Sequence, residues 1–126
     1  MSDKHEEWLK QADYDMDTAD VMQNSGRYFY AVFMAHLSIE KALKGFYHKS
    51  FKEVPPKTHN LLYLLEKIGK KPEQELEKFI IKLNTASVAT RYPDDMAKLQ
   101  AVYTEEVTKN ILNKSKDVLK WIKTQF

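Results

Sequence analysis

The run from Tyr28 to Gly45, YFYAVFMAHLSIEKALKG, carries charges where an amphipathic helix should have none. At 3.6 residues per turn, Phe29, Val32, Phe33, Leu37, Leu43 and Tyr47 share one face. His36, Glu40 and Lys44, spaced four apart, fall in the middle of that face. A second stripe of small residues, Ala31, Ala35, Ser38, Ala42 and Gly45, runs opposite. A helix greasy on one side and small on the other packs on two sides, so this segment is expected to be the central helix of a bundle. Buried charges are costly unless paired, so groups on neighbouring elements must answer the imidazole, the acid and the base.

The remaining helices follow from period and punctuation. Helix 1 is expected from Lys4 to Asn24, ending at Ser25-Gly26, where glycine suits a left-handed cap. Helix 2 follows from Arg27 to about Ser50. Phe51 to Thr58, with Pro55-Pro56, reads as a rigid connector that no helix can enter. Thr58 or Asn60 then caps a short helix 3 bearing Leu61, Leu62, Leu64, Leu65 and Ile68, stopped by Gly69. Helix 4 starts near Pro72, carries Leu76, Phe79, Ile80 and Leu83, and must end by Tyr92 because Pro93 pushes its predecessor out of α geometry. Helix 5 runs from Met96 or Tyr103 to Lys123, with Tyr103, Val107, Ile111, Val118, Trp121 and Ile122 on one face. The expected fold class is all-α, an up-and-down bundle of four long helices and one short one, with residues 1–126 forming a single domain.

Bulk properties narrow the function classes. With 126 residues, the chain can bury about two thirds of its unfolded surface. The absence of cysteine excludes disulfides, Fe–S clusters and Cys-based zinc, and fits a cytoplasmic location. The start, MSDKHEEWLK, is too polar for a signal peptide, and no stretch approaches a membrane span. Twenty Lys and Arg against eighteen Asp and Glu leave a net charge of +2, too weak for non-specific coating of nucleic acid. No glycine-rich phosphate loop, GxSxG elbow or HExxH occurs.

Three constellations are candidates for chemistry. Asp15 lies within the apolar face of helix 1 set by Trp8, Ala12, Met16, Ala19 and Met22, so Asp15, Glu40 and Lys44 are expected to form one partly buried network. Its competing reading is an ion-pair cluster that fixes helix register. His36 with Glu40 is half of a metal site, but helix 1 offers no matching His/Glu pair, so no metal or other cofactor is expected. Arg91 and Tyr92 stand at a helix break, where a guanidinium grips phosphate and a ring offers a stacking face. His59 opens the short helix after the proline connector, a position that favours anions. The competing readings are a salt bridge from Arg91 to Asp94 or Asp95, and a capping role for His59.

Taken together, Trp8-x3-Ala12-x2-Asp15-x3-Ala19, Tyr28-x2-Ala31, Glu40-Lys41-Ala42-Leu43-Lys44, Thr58-His59-Asn60-Leu61 and Arg91-Tyr92-Pro93 resemble the HEPN domain family over about residues 4 to 123. The resemblance implies a helical bundle similar to the helical domain of kanamycin-type nucleotidyltransferases. It also implies nucleotide binding, frequent homodimers, and frequent pairing with a small nucleotidyltransferase in toxin–antitoxin operons. Many members are metal-independent ribonucleases whose motif is Arg, four to six residues, then His. Here Met96, Ala97 and Lys98 stand where the histidine would, and no histidine follows Arg91. The expected general acid/base is therefore missing, although His59 could approach Arg91 from another segment.

The leading expectation is a non-catalytic nucleotide-binding or interaction module, with Asp15, Glu40, Lys44, His59, Arg91 and Tyr92 as ligand-binding residues. A ribonuclease toxin with an unconventional base and a structural adaptor are the alternatives. Tyr14, Tyr30, Met34 and Phe126 are expected on outer faces, which favours a homodimer. Nucleotide or RNA and a small nucleotidyltransferase are the expected partners; a membrane is not.

Overall fold

The computed structural model describes residues 4–126. Its helices are α1 (Lys4–Asn24), α2 (Tyr28–Phe51), α3 (Leu61–Ile68), α4 (Gln74–Arg91), α5 (Met96–Val102) and α6 (Glu105–Gln125), and the described residues include no strand. The fold is all-α. Ser38 of α2 bonds to Ala12 of α1, Asn84 of α4 lies beside His36, and Lys116 and Lys123 of α6 reach Asp20 and Asp13 of α1. These pairings set α1, α2, α4 and α6 alternately up and down, with α2 in contact with every other helix.

The punctuation acts where the sequence places it. Gly26 adopts φ 77° at the end of α1, and the Arg27 amide closes that turn on the Met22 carbonyl at 2.8 Å. Asn60 caps α3, its side-chain oxygen accepting from the amides of Leu62 and Tyr63, and Gly69 ends α3 at φ 76°. Tyr92, just before Pro93, is the last residue of the α4 turn. Pro72 sits one residue outside the cap of α4 rather than in its first turn, since Glu73 occupies the cap.

The small stripe of α2 is the seam of the α1–α2 hairpin. Ala31, Ala35, Ser38, Ala42 and Gly45 are all buried against α1, whose own Ala12 and Ala19 are likewise closed off. Ser38 Oγ donates to the Ala12 carbonyl at 2.6 Å, a bond that only close backbones allow. The opposite side of α2 packs Val32, Ile39 and Leu43 into a core shared with Leu61, Leu64, Ile80, Leu83, Leu112, Val118 and Ile122.

Three expectations are corrected. The single helix expected after Pro93 is two, because Thr104 interrupts it and caps α6 by accepting from the Val107 amide. The buried face of α6 is turned from the expected one: Val107 is exposed, while Thr108, Leu112, Ser115, Leu119 and Ile122 face inward with Val118. Thr108 and Ser115 tolerate burial because their hydroxyls donate to the carbonyls of Thr104 and Ile111 at 2.8 Å each. Phe126 does not lie on an outer face; it meets Phe46 edge-on at 5.2 Å between ring centres.

Gly45 has no room for a side chain. A Cβ there would lie 2.9 Å from the Trp8 Cβ and 3.3 Å from the His5 carbonyl oxygen. Gly45→Ala is therefore expected to force α1 and α2 apart and destabilise the fold by about 1–3 kcal/mol despite alanine's higher helix propensity. Urea unfolding of the two proteins measures it, and an unchanged or raised midpoint would contradict the seam.

Candidate functional site

The inward charges of α2 assemble with residues from two other elements. Glu40 is 3% exposed, and its two carboxylate oxygens take different partners. Lys44 Nζ, one turn along the same helix, approaches Oε2 at 3.0 Å. His59, at the end of the proline connector, approaches Oε1 through Nδ1 at 2.8 Å. Pro55 is buried, and Thr58 Oγ1 accepts from the Asn60 amide at 3.1 Å; together these bring the connector down onto α2.

His59 in turn meets Arg91, the last residue of α4, with Nε2 at 3.3 Å from Nη1. A guanidinium only donates, so Nε2 presents its lone pair and Nδ1 carries the proton given to Glu40. The imidazole is thereby fixed in orientation and tautomer, while 58% of its side chain stays open to solvent. The Arg91 guanidinium lies 4.7 Å above the Phe33 ring centre. Nη2, shut off from solvent, has no hydrogen-bond partner, and no carboxylate pairs with Arg91 among the described residues. The result is a relay from a buried Lys44–Glu40 pair, through an oriented imidazole, to an arginine at the surface. Deleting one member of such a buried pair strands the other and costs about 3–5 kcal/mol.

Beneath this relay sits His36, fully buried on α2. Its Nε2 lies 3.4 Å from the Asn84 side-chain oxygen, and Nδ1 has no partner among the described residues. Asn84 ties the layer together: its oxygen also accepts from the Leu61 amide at 3.0 Å, and its amide donates to Asn60 at 3.2 Å. Burial lowers the His36 pKa below its ordinary 6.5, aided by the charges of Arg91 and His59 and opposed by Asn84 and Glu40.

Of the six residues singled out, the structure gathers four, namely Glu40, Lys44, His59 and Arg91. Asp15 belongs elsewhere: it pairs with Lys41 at 2.9 Å, not with Lys44. Lys41 and Lys44 stand on adjacent turns of α2, and Lys41 is the one on the α1 side. Tyr92 is 73% exposed and turns away, onto a shallow groove with Asp95 and Leu99. Neither Asp94 nor Asp95 pairs with Arg91; Asp95 caps α5 by accepting from the Lys98 amide at 3.2 Å. Asn60, not His59, is the cap of α3. Phe33 and Asn84 were not anticipated as site residues. The signal for Asn84 was an amide one turn after Ile80 on the apolar stripe of helix 4. Among the described residues, no group of three or more His, Asp or Glu is placed to hold a metal ion.

The model of the HEPN domain family matches residues 5–125. No curated protein matches the chain. Two solved structures share the fold. TT1696 from Thermus thermophilus is 24% identical, with a TM-score of 0.79 over 99% of this chain and 100% of that one. ST0689, described as an archaeal HEPN homologue, is 25% identical, with a TM-score of 0.76 over 99% of this chain and 98% of that one.

The state of His36 sets an acid limit on stability. Its folded pKa lies below the unfolded value of 6.5, so the unfolded chain binds the extra proton and stability falls as pH drops below 6.5. Urea midpoints measured from pH 7.5 downward should fall in the wild type and fall less steeply in His36→Leu. Parallel curves would show that His36 does not carry the acid sensitivity.

Proposed function

The chain belongs to the HEPN domain family, and on that premise we propose that it is a nucleotide- or RNA-binding helical module that grips phosphate with Arg91 and His59. One observation carries this reading: a guanidinium free of any carboxylate partner among the described residues stands beside an imidazole that Glu40 holds in place and that is more than half open to solvent. A phosphate oxygen accepts from the guanidinium, whose Nη1 is steadied by the His59 Nε2 lone pair. Glu40 fixes the orientation of that imidazole from behind, with Lys44 balancing the carboxylate. Within this reading the module works as a homodimer, with a small nucleotidyltransferase as its protein partner.

A second reading, metal-independent RNA cleavage, is favoured by the way Glu40 orients His59. An imidazole held by a carboxylate at Nδ1, with Nε2 at the surface beside a cation, has the arrangement of a general base with an anion stabiliser. His59 would take the 2′-hydroxyl proton as the 2′-oxygen attacks phosphorus, Arg91 would neutralise the phosphorane, and the P–O5′ bond would break with the 5′-oxygen taking a proton from water. The family's usual histidine after Arg91 is then replaced by one from the α2–α3 connector.

Incubating the purified chain with mixed single-stranded RNA in EDTA, and measuring binding in parallel, separates the readings. Retained, uncut RNA bound about 10–100-fold more weakly by Arg91→Ala supports the binding module. Cleavage lost in both Arg91→Ala and His59→Ala establishes the second reading. RNA and mononucleotides that ignore both substitutions would contradict both readings.

A further inference from the structure

A second feature lies one turn of α2 from Phe33, the ring beneath Arg91. Between the start of α2 and the α5–α6 junction opens a cleft of about 370 Å3. Its walls are aromatic. Phe29 forms the buried base, Tyr30 lies against it at 4.6 Å between ring centres while remaining 46% exposed, and Tyr103 closes the far side. Partial burial pushes the Tyr103 phenol above its ordinary pKa, so the hydroxyl keeps its proton. Neither that hydroxyl, nor the Arg27 guanidinium, nor the Gln100 amide has a partner among the described residues. The carboxylate at the rim, Glu105, takes only a long 3.4 Å bond from the Tyr28 hydroxyl.

Stacking faces surrounded by free donors and one acceptor suit a heteroaromatic ring with polar edges. An aliphatic ligand would leave those edge groups unanswered, and a bare anion would leave the rings unused. The spacing to Arg91 is also defined. Phe29 and Phe33 stand four residues apart on α2, about 6 Å of helical rise. The Arg91 guanidinium lies over Phe33, and α5, which supplies Met96 and Gln100 to the cleft, begins just after Arg91. A nucleotide spans that separation between its phosphate and its base.

We infer that this cleft is the base subsite for a nucleotide whose phosphate sits on Arg91 and His59, stacked on Tyr30 and read at its edge by Arg27, Gln100 and Glu105. The inference rests on the phosphate reading above. It adds that the ligand is a nucleoside phosphate with an amino-bearing base, free or at the end of an RNA strand.

Calorimetric titration of the full chain with adenosine 5′-phosphate, ribose 5-phosphate and a 5′-phosphorylated triadenylate tests it, with the Met96 methyl followed by NMR. Adenosine 5′-phosphate should bind about tenfold more tightly than ribose 5-phosphate, and it alone should shift Met96. Tyr30→Ala should bring adenosine 5′-phosphate down to the ribose 5-phosphate affinity and leave the latter unchanged. Tyr103→Phe, which removes only a hydroxyl, should weaken adenosine 5′-phosphate by a smaller factor. A triadenylate binding far more tightly than the mononucleotide supports the subsite with RNA as the source; equal affinities support it with the free nucleotide. Ribose 5-phosphate and adenosine 5′-phosphate binding equally, with Met96 unmoved, would overturn the base subsite while sparing the phosphate site. Failure of every phosphate to bind would overturn both.

Discussion

The Glu40 carboxylate is the interaction on which the rest of the site depends. A charge that deep in a bundle is tolerable only if each oxygen is answered. Lys44 does so from within α2, and His59 does so from a connector with no regular structure of its own. The second contact draws the α2–α3 segment onto the bundle and leaves the far edge of the imidazole at the end of α4. Arg91 then completes the relay with no carboxylate partner among the described residues. The position of a surface pair is thus set by a buried one.

The bundle supports this through two unlike sides of α2. Its small stripe allows α1 to approach closely, with Ser38 bonded to the Ala12 carbonyl and no space at Gly45. A rigid hairpin results. The other side carries the polar layer of His36, Glu40 and Lys44, and Asn84 and Asn60 knit that layer to α3 and α4. Fixed donors and acceptors at such a junction favour preorganised recognition of a charged ligand over broad apolar contact.

Much of this was legible in the residues. The ends of α1 and α3, the Asn60 cap and the break before Pro93 follow from glycine, asparagine and proline chemistry. The inward direction of His36, Glu40 and Lys44 follows from helical period alone. Partner choice does not. Asp15 reaches Lys41 rather than Lys44 because Lys41 starts on the α1 side of α2, while Lys44 is held by Glu40 on the other. The buried face of α6 was hidden for a different reason: Thr108 and Ser115 read as polar, yet their hydroxyls are satisfied inside their own helix. The approach of His59 to Arg91, which the sequence allows without requiring, crosses 32 residues, and the tertiary fold brings it about.

Direct observation of the His59 ring is the closest test of the account. Nitrogen-15 NMR at a pH where the imidazole is neutral distinguishes the two tautomers and reports the proton shared with Glu40. The wild type should show the Nδ1–H form, with a detectable one-bond proton coupling at Nδ1 and an unprotonated Nε2. Glu40→Gln should release the ring into a mixture of tautomers. An Nε2–H form in the wild type, or a tautomer indifferent to Glu40→Gln, would contradict the relay from which the functional reading is built.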